Sequence, residues 1–144
     1  IFMIIIAPYA QKLRTGGVNP KNYPHWEELI KLINEPIVQV GITGEKQLVD
    51  DFRTNLPISE LKALLKECRT WIGVDSFFQH LGWIENKKGI VLWGPSDPLI
   101  FGHPENVNLL KDRALLAPNQ FLWWEQTECN DERFVEPNEV IKYL

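Results

Sequence analysis

Two rhythms of apolar residues alternate along this chain. "MIIIA" (3–7) is a continuous β-branched run, as expected of a strand buried on both faces of a parallel sheet. The polar stretch "QKLRTGGVNPKN" (11–22) follows, broken by Gly16, Gly17 and Pro20. In "YPHWEELIKLI" (23–33), Trp26, Leu29, Ile30 and Ile33 share one stripe and Pro24 opens the first turn, which predicts an amphipathic helix. "IVQVGI" (37–42) predicts a second strand ending near Gly41 and Gly44, and "EKQLVDDFR" (45–53) a second helix. After a turn at 55–57, Ile58, Leu61, Leu64, Leu65 and Cys68 repeat at helical spacing.

The alternation continues with a strand in "TWIGV" (70–74), a short helix in "SFFQHLGW" (76–83) and a strand in "GIVLW" (89–93). A Gly/Pro-rich loop then fills 94–106, "VNLLKD" suits a further short strand, and "EPNEVIKYL" (136–144) predicts a terminal helix. Strands alternating with helices in this way imply an α/β, Rossmann-like parallel sheet with helices on both faces. One domain over 1–144 is expected, with 119–144 as a C-terminal extension and helix. The six opening apolar residues are too few for a membrane span, and no basic segment precedes them as in a signal peptide. Position 1 is Ile rather than an initiator Met, as expected of the downstream part of something longer.

Composition narrows the function classes. Hydrophobic residues at 44% and charged residues at 24% are ordinary globular proportions. A net charge of −4 argues against general nucleic-acid or anionic-membrane binding, which needs a broad basic surface. Cys68 and Cys129 have no partner spacing, so neither a zinc site nor a disulfide framework is suggested, and a reduced, intracellular setting is expected. Three scattered histidines do not make a metal site.

Ligands of open α/β sheets sit beyond the carboxyl ends of the strands. Four polar clusters fall at such ends: Pro8 to Thr15, Gly41 to Glu45, Asp75-Ser76, and Gly94 to Pro98. Asp75 or Ser76 can cap the following helix, or the amides of its first turn can hold a phosphate, with Ser76 contacting the anion and Asp75 orienting. His80, four residues after Ser76, is either a donor to a phosphate oxygen or sugar hydroxyl or a half-buried histidine bonded to a carbonyl. His25 and His103 have no comparable context. Lys12, Arg14 and Lys21 concentrate positive charge in one loop, enough to neutralise a diphosphate unless they are merely solvated. Glu45 either accepts bonds from two ribose hydroxyls or simply begins a helix. Ser96 and Asp97 sit in a stiff "GPSDP" turn, small enough for a ligand to approach the backbone. Neither GxGxxG nor GxxxxGK[ST] occurs, so dehydrogenase and P-loop readings are weak.

Taken in order, "IAPYA", "KNYPHWEELIKLI", "VGITGE", "ISELKALLKECRTWIGVDSFFQHL" and "IVLWGPSDP" resemble the carboxy-terminal, donor-binding domain of bacterial lipopolysaccharide heptosyltransferases, glycosyltransferase family 9 with a GT-B fold. The likeness covers roughly residues 4 to 98, most specifically Asp75-Ser76-x-x-x-His80 and Gly94-Pro95-Ser96-Asp97-Pro98. It implies transfer of a sugar from a nucleotide-activated donor such as ADP-heptose to a saccharide acceptor, on the cytoplasmic side and peripheral to the inner membrane. By position, Lys21 would meet the donor phosphates and Glu45 the ribose. Ser76, Phe77 and His80 would line the diphosphate, and Ser96-Asp97 would close the pocket near it. No metal or other cofactor is implied. The family motif carries glycine where this chain has Phe77, whose ring would narrow the approach to the phosphates or turn into the core. The resemblance also implies a preceding domain bearing the acceptor site and general base, absent from these 144 residues. A lone donor half would bind nucleotide but scarcely catalyse; the alternatives are a non-catalytic nucleotide binder and a protein-interaction module on the same fold. In "FLWWEQTEC" (121–129), adjacent Trp123 and Trp124 cannot share a strand face, so one is expected at the surface.

Overall fold

A computed structural model describes residues 2–121 and 123–144. Six strands form one sheet: β1 (Ile4–Ala7), β2 (Ile37–Gly41), β3 (Asp51–Thr54), β4 (Thr70–Val74), β5 (Ile90–Trp93) and β6 (Val107–Leu110). All neighbouring pairs are parallel, and the spatial order is β3-β2-β1-β4-β5-β6. Chain direction across the sheet therefore reverses between β1 and β4, the switch point where such sheets open a crevice. The expected α/β class with a Rossmann-like parallel sheet holds.

Apolar residues point alternately to two cores. On one face Ile4, Ile6, Ile72, Val74, Ile90 and Leu92 pack under α1 (Trp26–Leu32) and α5 (Pro137–Ile141), through Trp26, Leu29 and Val140. On the other, Ile5, Val38, Val40, Trp71, Val91 and Trp93 pack under α2 (Ile58–Glu67) and α3 (Phe77–Ile84), through Leu64, Leu65, Phe78 and Leu81. Burial on both faces is why these strands read as unbroken apolar runs. No helix among the described residues is long and apolar enough to cross a membrane.

Two elements differ from expectation. Residues 45–53 are not helical; a loop leads into the short edge strand β3. The cause is Gln39, fully buried on β2. Its side-chain nitrogen donates to the Lys46 carbonyl at 2.9 Å and its oxygen accepts from the Leu48 amide at 2.7 Å. The buried amide thus occupies backbone groups that a helix would have used internally. Within the 94–106 loop lies a short helix, α4 (Pro98–Phe101), capped by Asp97, whose carboxylate accepts from the Leu99 amide at 2.9 Å.

After β6 the chain runs irregularly back across the carboxyl edge of the sheet. It is tied down where the Ala117 amide donates to the Pro95 carbonyl and where the Gln120 side chain bonds Pro95 and the Asp97 amide. Further on, the Tyr23 hydroxyl donates to the Val135 carbonyl at 2.8 Å. Among its described residues, 119–144 hold two single 3-10 turns (Trp124–Gln126 and Asp131–Arg133) before the terminal helix α5.

Candidate functional site

A cleft of about 950 Å³ opens at the switch point, within the range of small-molecule sites. The loop after β1, the end of β2, the β4–α3 turn and Trp123 to Glu125 line it. Lys12, Arg14, Lys21, Glu45, Asp75, Ser76, Phe77 and His80 all face this space. Ser96 and Asp97 do not. Ser96 is fully buried, and Asp97 receives two bonds from the Arg113 guanidinium, at 3.0 and 2.8 Å. That guanidinium holds the Asp97 carboxyl below its ordinary value. The pair fastens the returning C-terminal chain rather than closing the cleft.

The loop after β1 is shaped by asparagines. Asn22 accepts from the Ala10 amide at 2.8 Å, and Asn19 donates to the Gln11 carbonyl while accepting from the Lys21 amide. Trp26 anchors the start of the loop by donating to the Pro8 carbonyl at 3.1 Å. Lys21 is thereby aimed inward: its ammonium lies 3.4 Å from Asp75 and 5.3 Å from the Trp124 ring. Arg14 is committed elsewhere. Its guanidinium stacks 3.8 Å over Trp123 and pairs with Glu125 at 3.1 Å. Lys12 is exposed at the rim.

Neither Asp75 nor Ser76 caps α3. Asp75 accepts from the Gln79 side chain at 2.9 Å, and the Ser76 hydroxyl donates to the Val74 carbonyl at 3.4 Å. The amino end of α3 is left without a capping side chain, so its first amides keep their affinity for an anion. Phe77 does not turn into the core; it is 57% exposed and stands at the cleft. His80 is not bonded to a carbonyl. Its ring meets His103, which the isolated spacing of the two histidines gave no means to foresee.

Glu45 begins no helix. Its carboxylate folds back over Gly41, where the absent side chain makes room for it, and accepts from the Ile42 amide at 2.9 Å. Burial pushes the Glu45 carboxyl above its ordinary value near 4.5, offset only in part by the Ile42 amide and Lys12. The folded state thus binds this proton more tightly than the unfolded chain, and the ionised carboxylate costs stability. Glu45→Gln keeps the Ile42 bond and is expected to raise the melting temperature at neutral pH. The cost is complete above the folded pKa and shrinks as pH falls toward 4.5, below which both states are protonated. The two proteins' melting temperatures should therefore converge in acid; a difference independent of pH would refute the assignment.

The Trp123 to Glu125 wall was not among the sequence candidates for the site. The tryptophan pair was the available signal, and Trp123 is indeed the exposed member, at 62%.

The family model for glycosyltransferase family 9 (heptosyltransferase) matches residues 3–133. The chain belongs to glycosyltransferase family 9. Solved structures with the same fold include the Escherichia coli ADP-heptose lipopolysaccharide heptosyltransferase II, at 19% identity and a TM-score of 0.61 over 78% of this chain and 39% of that one. A family 9 glycosyl transferase from Veillonella parvula aligns at 17% identity and a TM-score of 0.58, over 75% of this chain and 34% of its own. The iron-containing dodecameric glycosyltransferase TibC of enterotoxigenic E. coli aligns at 15% identity and a TM-score of 0.62, over 96% of this chain and 37% of its own. This family 9 chain thus spans well under half the length of each neighbour. No curated protein sequence matches it. No group of three or more metal-ligating side chains lies together among the described residues.

Proposed function

We propose that the cleft holds the nucleoside diphosphate of an activated sugar, so that this chain supplies the donor-binding half of a glycosyl transfer to a saccharide acceptor. The observation that carries the reading is the meeting of Lys21, the uncapped amino end of α3 and Glu45 at the β1–β4 switch point. Lys21 and the α3 amides oppose the phosphate charge. Glu45 spends one oxygen on Ile42 and keeps the other for ribose hydroxyls. As the sugar departs, negative charge builds on the leaving diphosphate, and these fixed donors stabilise it without a metal. ADP-heptose is the donor to which family membership points. A lipopolysaccharide-type acceptor, a preceding domain carrying the general base, and work at the cytoplasmic face of the inner membrane belong to the same proposal.

Thermal melts with ADP, UDP and AMP test it. A ligand that binds only the folded state stabilises it by about 2.7 kcal/mol at one hundred times its Kd. A nucleoside diphosphate is expected to raise the melting temperature more than AMP does, because the second phosphate adds charge beside Lys21. Flat melts with every nucleotide at millimolar concentration would overturn the reading.

A further inference from the structure

Beside the cleft, a ring on α3 meets one from another element. His80 Nδ1 lies 2.8 Å from His103 Nε2, with the rings near perpendicular at 87°. His103 comes from the turn between α4 and β6 and is anchored twice. Its backbone carbonyl accepts from the Asn108 side chain at 2.9 Å, and its ring lies flat on Trp83, centroids 4.5 Å apart at 6°. His80 is exposed at the cleft. With Nδ1 engaged, Nε2 is the ring nitrogen left to meet a ligand.

We propose that His103 is a positioning residue that holds His80 in the tautomer whose Nε2 carries the proton and offers it to an anion in the cleft. Two neutral imidazoles in hydrogen-bond contact need one donor and one acceptor. When His103 Nε2–H donates, His80 Nδ1 accepts, and the His80 proton sits on Nε2. In the reverse arrangement His80 Nε2 is a bare lone pair, which repels a phosphate oxygen. Protonating both rings would set two like charges in contact. Burial and His103 push the His80 pKa below its ordinary value; Lys21 acts in the same direction and Asp75 in the opposite one. The 2.8 Å contact between the two ring nitrogens itself requires that one of them be unprotonated. The choice of tautomer and the anion's identity as a diphosphate both rest on the function proposed above; the contact between the two rings does not.

Two-bond proton–nitrogen NMR of histidine-labelled protein reads the His80 tautomer without ligand. The wild type is expected to show His80 protonated at Nε2. His103→Phe keeps a ring on Trp83 but removes the donor, so a mixture of tautomers is expected, with ADP binding weaker by roughly tenfold. His103→Gln returns a donor to Nδ1 and should recover most of both signals. Wild-type His80 protonated at Nδ1, a tautomer unaltered in His103→Phe, or unaltered ADP affinity in that variant overturns the proposal. Absence of ADP binding by the wild type would instead remove the nucleotide reading, while the NMR result still decides whether His103 sets the His80 proton.

Discussion

Trp71→Ala is expected to destabilise the fold by about 3–5 kcal/mol, the cost of deleting a large core aromatic. Domains of this size are stable by only about 5–15 kcal/mol, so the variant would lose much of its margin. Trp71 is fully buried on β4. Its ring meets Phe78 edge-on, centroids 5.5 Å apart, and its indole N–H donates to the Lys87 carbonyl at 2.9 Å. The slot is made by two missing side chains: a Cβ on Gly82 would fall 2.7 Å from the indole, and one on Gly89 would overlap it. The alanine variant therefore empties a cavity and orphans a carbonyl together. Urea unfolding should show a lower midpoint with an unchanged slope. A cycle with Gly89→Ala isolates the cause. Alone, that methyl strikes a packed ring and costs about 1–3 kcal/mol; in the Trp71→Ala background it enters the vacated space and should be near neutral. Additive losses would mean that the ring and the glycine do not share one slot.

The same residues explain what could be read in the chain beforehand. β1, β2, β4 and β5 were legible because each is buried on both faces and carries its signal locally, as in "IVLW". The helix expected over 45–53 failed because its competitor, the Gln39 amide, lies on another element and was visible only as one polar residue in an apolar strand. At the site, the sheet order brings the ends of β1, β2 and β4 together, so Lys21, Glu45, Ser76, Phe77 and His80, read from strand ends, line one cleft. Ser96 and Asp97, read the same way, do not line it. β5 ends at the same edge, but the returning C-terminal chain covers it through Gln120 and Arg113. Trp123, Trp124 and His103 reach their places through long-range packing, which no local periodicity encodes.

Lys21→Met is expected to weaken ADP binding by 10-fold or more while leaving the domain folded. A hydrogen bond to a charged group is worth about 1.5–3 kcal/mol, which converts to roughly 10- to 150-fold in Kd. Methionine keeps an unbranched apolar stem of similar length, so the comparison removes the charge and keeps most of the stem. The Lys21 side chain is 17% exposed and that of Asp75 9%, so the field reaching a bound phosphate is only partly screened. Isothermal titration at low and high salt should show the wild-type affinity falling with salt more steeply than that of the variant. Among the described residues, loss of the ammonium also leaves the Asp75 carboxylate with the Gln79 side chain as its remaining partner, and a drop in melting temperature would blur the result. Adding Asp75→Asn separates the two effects. Removing the unpaired charge should restore stability but not ADP affinity, because an amide cannot replace the cation facing the phosphates. Full affinity in Lys21→Met would mean that any phosphates lie beyond the reach of this side chain, and recovery of affinity in the double variant would make Lys21 a mere counter-ion of Asp75.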